Sequence, residues 1–199
     1  MTKCRKGPRC CHDSGGRKKL DIAFHCIHAA EGSSAASVAS YLHKPISSNI
    51  PGSVHRCIDD KECVRTLPDL ITPWAAPPIN LAGIHDELSA FSRWSLRQWY
   101  KHLPMLRIEA QKIARDCFEY DIPLRWLSAR KLKVIGPNPN HRNGGVTDHV
   151  QVTKAFDKSD HTDPGEGFEL SIPGKRSPHS YLMFWAKRYL KQLEAARKR

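Results

Sequence analysis

The sequence predicts an α/β domain in which helices flank a mixed central β-sheet. Residues 20–27 are apolar enough to form a buried strand, and another strand is predicted at residues 83–90. Between residues 105 and 120, apolar side chains recur at helical spacing with charged ones elsewhere, which indicates an amphipathic helix covering one face of the sheet. At 199 residues and 40% hydrophobic content, the chain is long enough for one well-buried core and short for two.

Two more helices have clear start signals. Ser33 or Ser34 can cap a helix that continues to Leu42, before Pro45 ends it. A Ser-Pro pair at 177–178 opens the last predicted helix, because proline is well tolerated in the first helical turn. Its aromatic side is expected to pack on the domain, and its end is fully basic.

Shorter strands and loops complete the pattern. Residues 53–58 and 62–67 predict a hairpin joined by an acidic turn, and residues 125–128 predict a short strand. The proline-rich residues 73–78 cannot sit in a central strand and are expected to form a surface loop.

Charge divides the chain into three predicted parts. Residues 1–19 are expected to form a basic flexible arm, residues 20–172 the folded domain, and residues 173–199 a basic amphipathic helix packed on the domain or extending from it. The formal net charge of +12 implies an anionic partner. Nucleic acid, a membrane surface and an acidic wall polymer all fit, and charge alone does not choose among them.

The seven cysteines do not form a regular framework. Their odd number and irregular spacing predict a reduced compartment, although a pair between Cys57 and Cys63 stays open. The first 19 residues are basic with no apolar run after them, so neither a secretory signal nor a membrane span is expected. We therefore expect a protein kept in the cytoplasm unless something releases it.

Metal-binding side chains gather late in the sequence. Glycine and asparagine residues between 136 and 145 predict a loop leading to His149, and His161 and Asp163 follow within a short distance. Zinc in a hydrolytic site takes three protein ligands and leaves a fourth position for water. This region can supply two of the three, and His28, at the end of the first predicted strand, is the best candidate for the third.

Five segments in order carry a resemblance to a known family. They are Ile-His-Ala-Ala-Glu-Gly at 27–32, Thr-Pro-Trp-Ala-Ala-Pro at 72–77, Gly-Ile-His-Asp-Glu-Leu at 83–88, His149, and His-Thr-Asp-Pro-Gly at 161–165. Together they resemble the zinc-dependent N-acetylmuramoyl-L-alanine amidases of type 2, which share their fold with peptidoglycan-recognition proteins. The nearest members are the catalytic domains of phage endolysins, and the similarity spans roughly residues 20–170.

The resemblance implies a role for each matching residue. His28, His149 and Asp163 would bind Zn²⁺, and Glu87 would be the general base. His161 stands where many relatives have a lysine that stabilises the oxyanion, a task that a histidine can also perform. Alternation along the strand places Glu87 on the face opposite Asp86 and Leu88, so only one of the two acids can face the metal.

The resemblance says less about the role of two other positions. Trp74 either lines the substrate groove or is an exposed turn residue. Other branches of the family have a tyrosine just before the histidine of the second strand, where this chain has Val54 and His55. A mechanism that depends on that tyrosine is therefore not expected, and the chemistry depends more on Glu87 and His161.

The implied activity is hydrolysis of the amide between the lactyl group of N-acetylmuramic acid and L-alanine of the stem peptide by zinc-activated water. With its charge and the expected lack of a signal peptide, the chain fits a monomeric phage endolysin that a holin releases from the host cytoplasm onto peptidoglycan. The alternatives are a cytosolic amidase that recycles muropeptides and a non-catalytic peptidoglycan-binding protein. A nucleic-acid binder is not expected, because the spacing of Cys4, Cys10, Cys11 and His12 fits no regular zinc-finger scheme.

Overall fold

The computed structural model describes residues 2–8, 12–44 and 52–199. The strands are β1 (Arg5–Lys6), β2 (Asp13–Gly16), β3 (Phe24–Ala29), β4 (Arg56–Ile58), β5 (Cys63–Arg65), β6 (Ile71–Pro73), β7 (Gly83–Leu88) and β8 (Gly145–Asp148). The helices are α1 (Ala35–Leu42), α2 (Leu96–Trp99), α3 (Leu103–Tyr120), α4 (Ala129–Ile135), α5 (His149–Phe156), α6 (Glu166–Glu169) and α7 (Pro178–Arg197). Among these residues, no helix is both long and apolar enough to cross a membrane.

Six strands form one mixed sheet in the order β1-β5-β4-β7-β3-β8. β3 runs parallel to both β7 and β8, and β4 is parallel to β7 but antiparallel to β5. The predicted mixed sheet and the predicted hairpin are confirmed. Because β3, β7 and β8 are parallel, their carboxyl ends meet at one edge, where α/β sheets commonly place functional side chains.

Helices cover both faces of this sheet. Ile27 on β3 and Ile84 on β7 point into a core shared with α3 and α7, whereas Phe24 and Cys26 point into a second core with α4 and α5. Side chains alternate along a strand, so His28 lies on the same face as Cys26. The predicted helices α1, α3 and α7 are confirmed, and Ser34 caps α1 by accepting a hydrogen bond from the Ser37 backbone.

The N-terminal segment is part of the fold, and the expected flexible arm is wrong for its described residues. β1 extends the central sheet by pairing with β5, and β2 pairs antiparallel with β6. The buried Arg17 donates hydrogen bonds to the carbonyl groups of Asp69, Asn80, Leu81 and Gly83 over 2.7–3.1 Å. The segment therefore ties together the loops on either side of β6.

The cysteines also differ from expectation. Cys63 forms a disulfide with Cys4, so the prediction of reduced cysteines is wrong for this pair. The alternative pair of Cys63 with Cys57 is wrong because Cys63 lies opposite Ile58 in the hairpin, while Cys57 lies opposite Val64. Cys57 and Cys63 thus belong to different sides of the sheet and pack in different cores.

Removing this disulfide should lower stability. The bond closes a loop across 59 residues, and closing a loop of that length restricts the unfolded chain. We expect Cys4→Ser to reduce the free energy of unfolding by about 2–4 kcal/mol in urea under oxidising conditions. With reductant present, wild type and variant should unfold at the same urea concentration. Equal stability under oxidising conditions would contradict a stabilising disulfide.

The region before His149 is more regular than predicted. Instead of a loop, β8 leads directly into α5, whose first residue is His149. The strand predicted at 125–128 is reduced to a single bridge between Trp126 and Val146. β3 starts four residues later than predicted and extends past His28, so that His28 lies within the strand rather than after it.

A cluster of charged groups lies buried between the sheet and α3. Arg56 donates hydrogen bonds to Asp86 Oδ1 (2.7 Å) and to both carboxylate oxygens of Asp116. His25 contacts Asp116 through Nδ1 (2.9 Å) and Glu109 through Nε2 (2.7 Å). All five side chains are fully buried, so these charges depend on one another for the solvation that water would otherwise provide.

His25 should make stability depend on alkaline pH. Burial alone would lower the pKa of His25, but the carboxylates of Glu109 and Asp116 outweigh burial and raise that pKa to about 10. Since the pKa is raised on folding, the stabilisation is complete below pH 6.5, the ordinary histidine pKa, and is lost as the pH rises through about 10. Urea unfolding from pH 7 to 10 should show a decline that is smaller in His25→Gln. Parallel pH profiles would contradict this role.

Candidate metal centre

A cavity of about 530 Å³ opens at the edge where β3, β7 and β8 end. Its walls come from the end of β3, from α1, from the residues around β6, and from the loop at 160–163. The cavity contains all six residues predicted for the site, which are His28, Trp74, Glu87, His149, His161 and Asp163. Segments up to 135 residues apart in sequence are thus brought to one place.

Three of these side chains converge from different elements. His28 projects from β3, His149 begins α5, and Asp163 follows in a loop. The loop is held in two ways: the Ala29 backbone N–H donates to Asp163 Oδ2 (3.2 Å), and the Val150 N–H donates to the Asp163 carbonyl (2.8 Å). The carboxylate is therefore fixed against both ligand-bearing elements.

A glycine allows the loop to approach the segment that follows β7 closely. Gly165 has a φ of 87°, a conformation that residues with a side chain rarely adopt. A Cβ at this position would lie 1.8 Å from the Ser92 carbonyl oxygen. The Gly residue of the sequence motif at 161–165 is thus required by backbone packing two residues from Asp163.

The donor atoms of His28, His149 and Asp163 fit a zinc ion. Asp163 Oδ2 lies 3.4 Å from His28 Nδ1, and Asp163 Oδ1 lies 3.2 Å from His149 Nδ1. Two ligand atoms at tetrahedral positions about 2.1 Å from zinc are about 3.4 Å apart, so these spacings match the edge of such a tetrahedron. All three residues are at most 8% exposed, and one ligand atom from each lies within 4.8 Å of the others.

Electrostatics keeps Asp163 and His149 in the protonation states that a metal requires. Burial alone would lower the pKa of His28, but Cys26 and Asp163 raise that pKa well above its usual value, so a metal ion would have to displace a proton from His28. Burial alone would raise the pKa of Asp163, but contacts with His149, His161 and His28 hold that pKa well below its usual range. Burial lowers the pKa of His149 to about 4. At neutral pH the centre therefore offers a carboxylate and a neutral imidazole, as zinc binding needs.

Glu87 faces this centre from the neighbouring strand. It lies directly beside His28 in the parallel register of β7 and β3. Burial raises its pKa to about 7, and its Oε2 atom has no hydrogen-bond partner among the described residues. Asp86 lies on the opposite face with Arg56, as the strand alternation predicts. A carboxyl group with these properties can exchange a proton near neutral pH.

His161 and Trp74 lie farther out in the cavity. The His161 ring stacks on that of His149 at 4.3 Å, and its Nδ1 is 3.4 Å from Asp163 Oδ1. A hydrogen bond with Asp163 raises the pKa of His161, and 58% of the side chain is exposed. Trp74 is 36% exposed on the cavity wall, where its Nε1 donates to Ser14 Oγ over 2.7 Å.

Two residues of the site were not predicted. His85 and Cys26 are fully buried behind His28, with one ligand atom from each of the three within 4.8 Å of the others. The strand pattern could have revealed them, because each stands two positions before a predicted site residue and therefore on the same face of its strand. His55, which follows the position where other branches of the family have a tyrosine, packs beside His85 and so has a structural role.

By sequence, no protein-family model and no curated protein matches the chain. Solved structures do match. One is the crystal structure of the Staphylococcus aureus hydrolase AmiA in complex with its ligand, which has a TM-score of 0.66 and 14% identity over 98% of this chain and 87% of AmiA. Another is the endolysin N-acetylmuramoyl-L-alanine amidase LysCS from Clostridium intestinale, with a TM-score of 0.53 and 12% identity over 84% and 90% of the two chains.

A third match, AmpD, has a TM-score of 0.56 and 16% identity over 84% of this chain and 90% of AmpD. The chain has the type 2 amidase fold. This confirms the fold class and the fold implied by the five sequence segments. Structural similarity at such low sequence identity shows the fold alone. What a protein with this fold does depends on the side chains in its cavity.

Proposed function

We propose that this protein is a zinc-dependent N-acetylmuramoyl-L-alanine amidase that hydrolyses peptidoglycan. The observation that carries this proposal is the convergence of His28, His149 and Asp163 at zinc-ligand spacing, with Glu87 facing them in the same cavity. Two imidazoles and one carboxylate are typical of hydrolytic rather than closed structural zinc sites. A bound zinc ion would activate water and polarise the scissile carbonyl.

In this proposal Glu87 transfers the proton during hydrolysis. Water adds its oxygen to the lactyl carbonyl carbon, and Glu87 accepts the proton that this water loses. When the carbon–nitrogen bond breaks, Glu87 passes that proton to the amine of the departing L-alanine. A pKa of about 7 suits both steps, because the group can be a base before the attack and an acid after it.

His161 and Trp74, which lie farther out in the cavity, would contact the substrate. His161, at the cavity mouth and with a raised pKa, is placed to donate to the carbonyl oxygen as negative charge develops there. Trp74 offers an aromatic face on which a sugar or stem peptide can pack. Its hydrogen bond with Ser14 holds the indole in place on the wall.

Metal content and reaction product test the proposal together. Purified wild type should contain about one zinc per chain and should release stem peptides with a free L-alanine amine from peptidoglycan. His149→Ala should lose both properties, whereas His141→Ala, beside the opposite end of β8, should keep both. Zinc-loaded wild type that releases no such peptides would overturn the assignment.

We further propose that the substrate is the polymeric wall, met outside the reducing cytoplasm, as for an endolysin. The Cys4–Cys63 disulfide supports an oxidising place of action, and the net charge of +12 supports attraction to an anionic wall. Digestion of intact sacculi should exceed turnover of small soluble muropeptides. The reverse preference would instead favour the recycling amidase.

A basic groove along α7 is a candidate for wall adhesion. Trp126 and Phe184 line it together with four cations and a single carboxylate. The cations are Arg125, Arg176, Lys187 and Lys191, and the carboxylate is Glu194. Aromatic faces that pack on sugars beside cations that bind phosphate or carboxylate groups match an anionic glycan.

Reversing two charges in this groove should weaken binding to purified walls. We expect a loss of roughly 30-fold for the double variant Lys187→Glu and Lys191→Glu, since each cation near an anionic surface contributes on the order of 1 kcal/mol. A sedimentation assay should also show weaker wild-type binding at high salt. The matched double variant Lys131→Glu and Lys133→Glu changes charge equally on α4 and should bind more tightly than the groove variant. Equal losses would exclude a local site.

A further inference from the structure

The second nitrogen of His28 is engaged by another histidine. Nδ1 of His28 faces Asp163, whereas Nε2 lies 3.0 Å from Nδ1 of His85. The two rings are 5.3 Å apart at 44°, and both side chains are buried. Because both rings are buried, this contact influences which nitrogen of His28 carries the proton.

The protons on this pair follow from simple valence. A neutral imidazole has one N–H and one lone pair, and a metal ligand must present the lone pair. If Nδ1 of His28 is the ligand atom, Nε2 carries the hydrogen and needs an acceptor. His85 Nδ1 is in place to accept it, which leaves the hydrogen of His85 on its own Nε2.

We propose that His85 is a positioning residue that fixes the tautomer and ring orientation of His28 so that Nδ1 faces the metal. The inference rests on the zinc site proposed above. Second-nitrogen partners of metal-bound histidines are usually carboxylates, carbonyl groups or water. An imidazole acceptor sets the tautomer without adding a further negative charge to a centre that already holds the carboxylate of Asp163.

The surroundings of His85 favour one ring position. Its backbone N–H donates to Nδ1 of His55 (3.0 Å), and the two rings stack at 6.2 Å with planes 14° apart. Nε2 of His85 lies against Gly83, where a Cβ would be only 2.3 Å away. Among the described residues this nitrogen has no hydrogen-bond partner, so packing against Gly83 is what holds this edge of the ring.

Cys26 is the competing partner for His28. The Sγ atom of Cys26 lies within 4.8 Å of a ring nitrogen of His28 and of a ring nitrogen of His85. A thiol is a weak acceptor, so the imidazole of His85 is the better partner for the His28 N–H. Replacing Cys26 by Ala therefore separates the two possibilities.

The direct test is ¹⁵N NMR of the full-length, metal-free wild type, which reports the protonated nitrogen of each histidine. We expect hydrogen on Nε2 of His28 and no hydrogen on Nδ1 of His85, which accepts from it. Hydrogen on Nδ1 of His85 would overturn the proposal. This measurement needs neither zinc nor activity, so its outcome is separate from that of the amidase assignment, which fails if the wild type binds no zinc.

Zinc affinity, measured by chelator competition, provides the second readout. His85→Leu fills the space without an acceptor and should weaken zinc binding by about 10–100-fold, the usual effect of losing such a partner. His85→Asn can present an amide oxygen near the position of Nδ1, and should restore affinity to within about threefold of wild type, as should Cys26→Ala. Wild-type affinity in a folded His85→Leu variant, or a loss confined to Cys26→Ala, would overturn the proposal. If His85→Leu does not fold, the tautomer and the His85→Asn affinity decide it.

Discussion

Glu87→Gln should reduce amide hydrolysis by about 10²–10⁴-fold while zinc stays bound, because this range is typical for the loss of a positioned proton acceptor. Glutamine keeps the size of the side chain but cannot take a proton from water. Glu87 does not belong to the set of three ligands, so metal content should stay at the wild-type level. The rate of stem-peptide release and the zinc content of the same sample measure both effects.

A second carboxylate controls for the general effect of this substitution. Glu119 lies at the exposed end of α3 in an ion pair with Arg115, and Glu119→Gln should keep wild-type activity. If Glu87→Gln retains activity within about tenfold of wild type with zinc bound, Glu87 is not the proton acceptor. If zinc is lost as well, the role of Glu87 is in holding the metal centre.

Arg56→Met should lower the free energy of unfolding by about 3–5 kcal/mol, which is the usual cost of leaving a buried ionic partner without its counter-charge. Methionine occupies part of the same space, but Asp86 and Asp116 lose their hydrogen bonds with the guanidinium group. Neither carboxylate has water to replace it, since both are fully buried. Urea unfolding at pH 7 measures the change.

The same substitution at an exposed ion pair is the control. Arg142 and Asp121 are 3.5 Å apart with side chains more than 70% exposed, and such pairs contribute between about 0 and 1 kcal/mol. Arg142→Met should therefore have little effect. Similar losses of unfolding free energy for both variants would show that the buried ion pairs of Arg56 contribute no more than an exposed pair. A small loss for Arg56→Met alone would mean that the carboxylates become protonated or find other partners.

The parts of the fold with strong local signals were predictable from the sequence. β3 lies in a largely apolar run, and α3 has a continuous apolar stripe, so each pattern is visible without knowledge of its neighbours. The position of the site at one edge of the sheet also followed, because His28 and Glu87 stand near the ends of strands. The six site residues came from the ordered motifs, and the structure brings them into one cavity.

What the sequence did not predict depends on distant partners. β1 and β2 contain few apolar side chains, and they are strands because β5 and β6 supply backbone hydrogen bonds. β8 is only four residues long and starts with glycine, so its composition suggests a loop. The sequence offered Cys57 as a partner for Cys63, and only the register of the hairpin shows that Cys63 faces away from Cys57.

Arg17 sets a practical lower limit on the length of a well-folded fragment. A protein trimmed to begin at residue 20, where the apolar pattern starts, would lose the guanidinium group that satisfies carbonyl groups around β6 and at the start of β7. It would also lose Ser14, and with it the hydrogen bond to Trp74. Recombinant versions intended for crystallisation should therefore keep the basic N-terminal residues, which help to build the cavity.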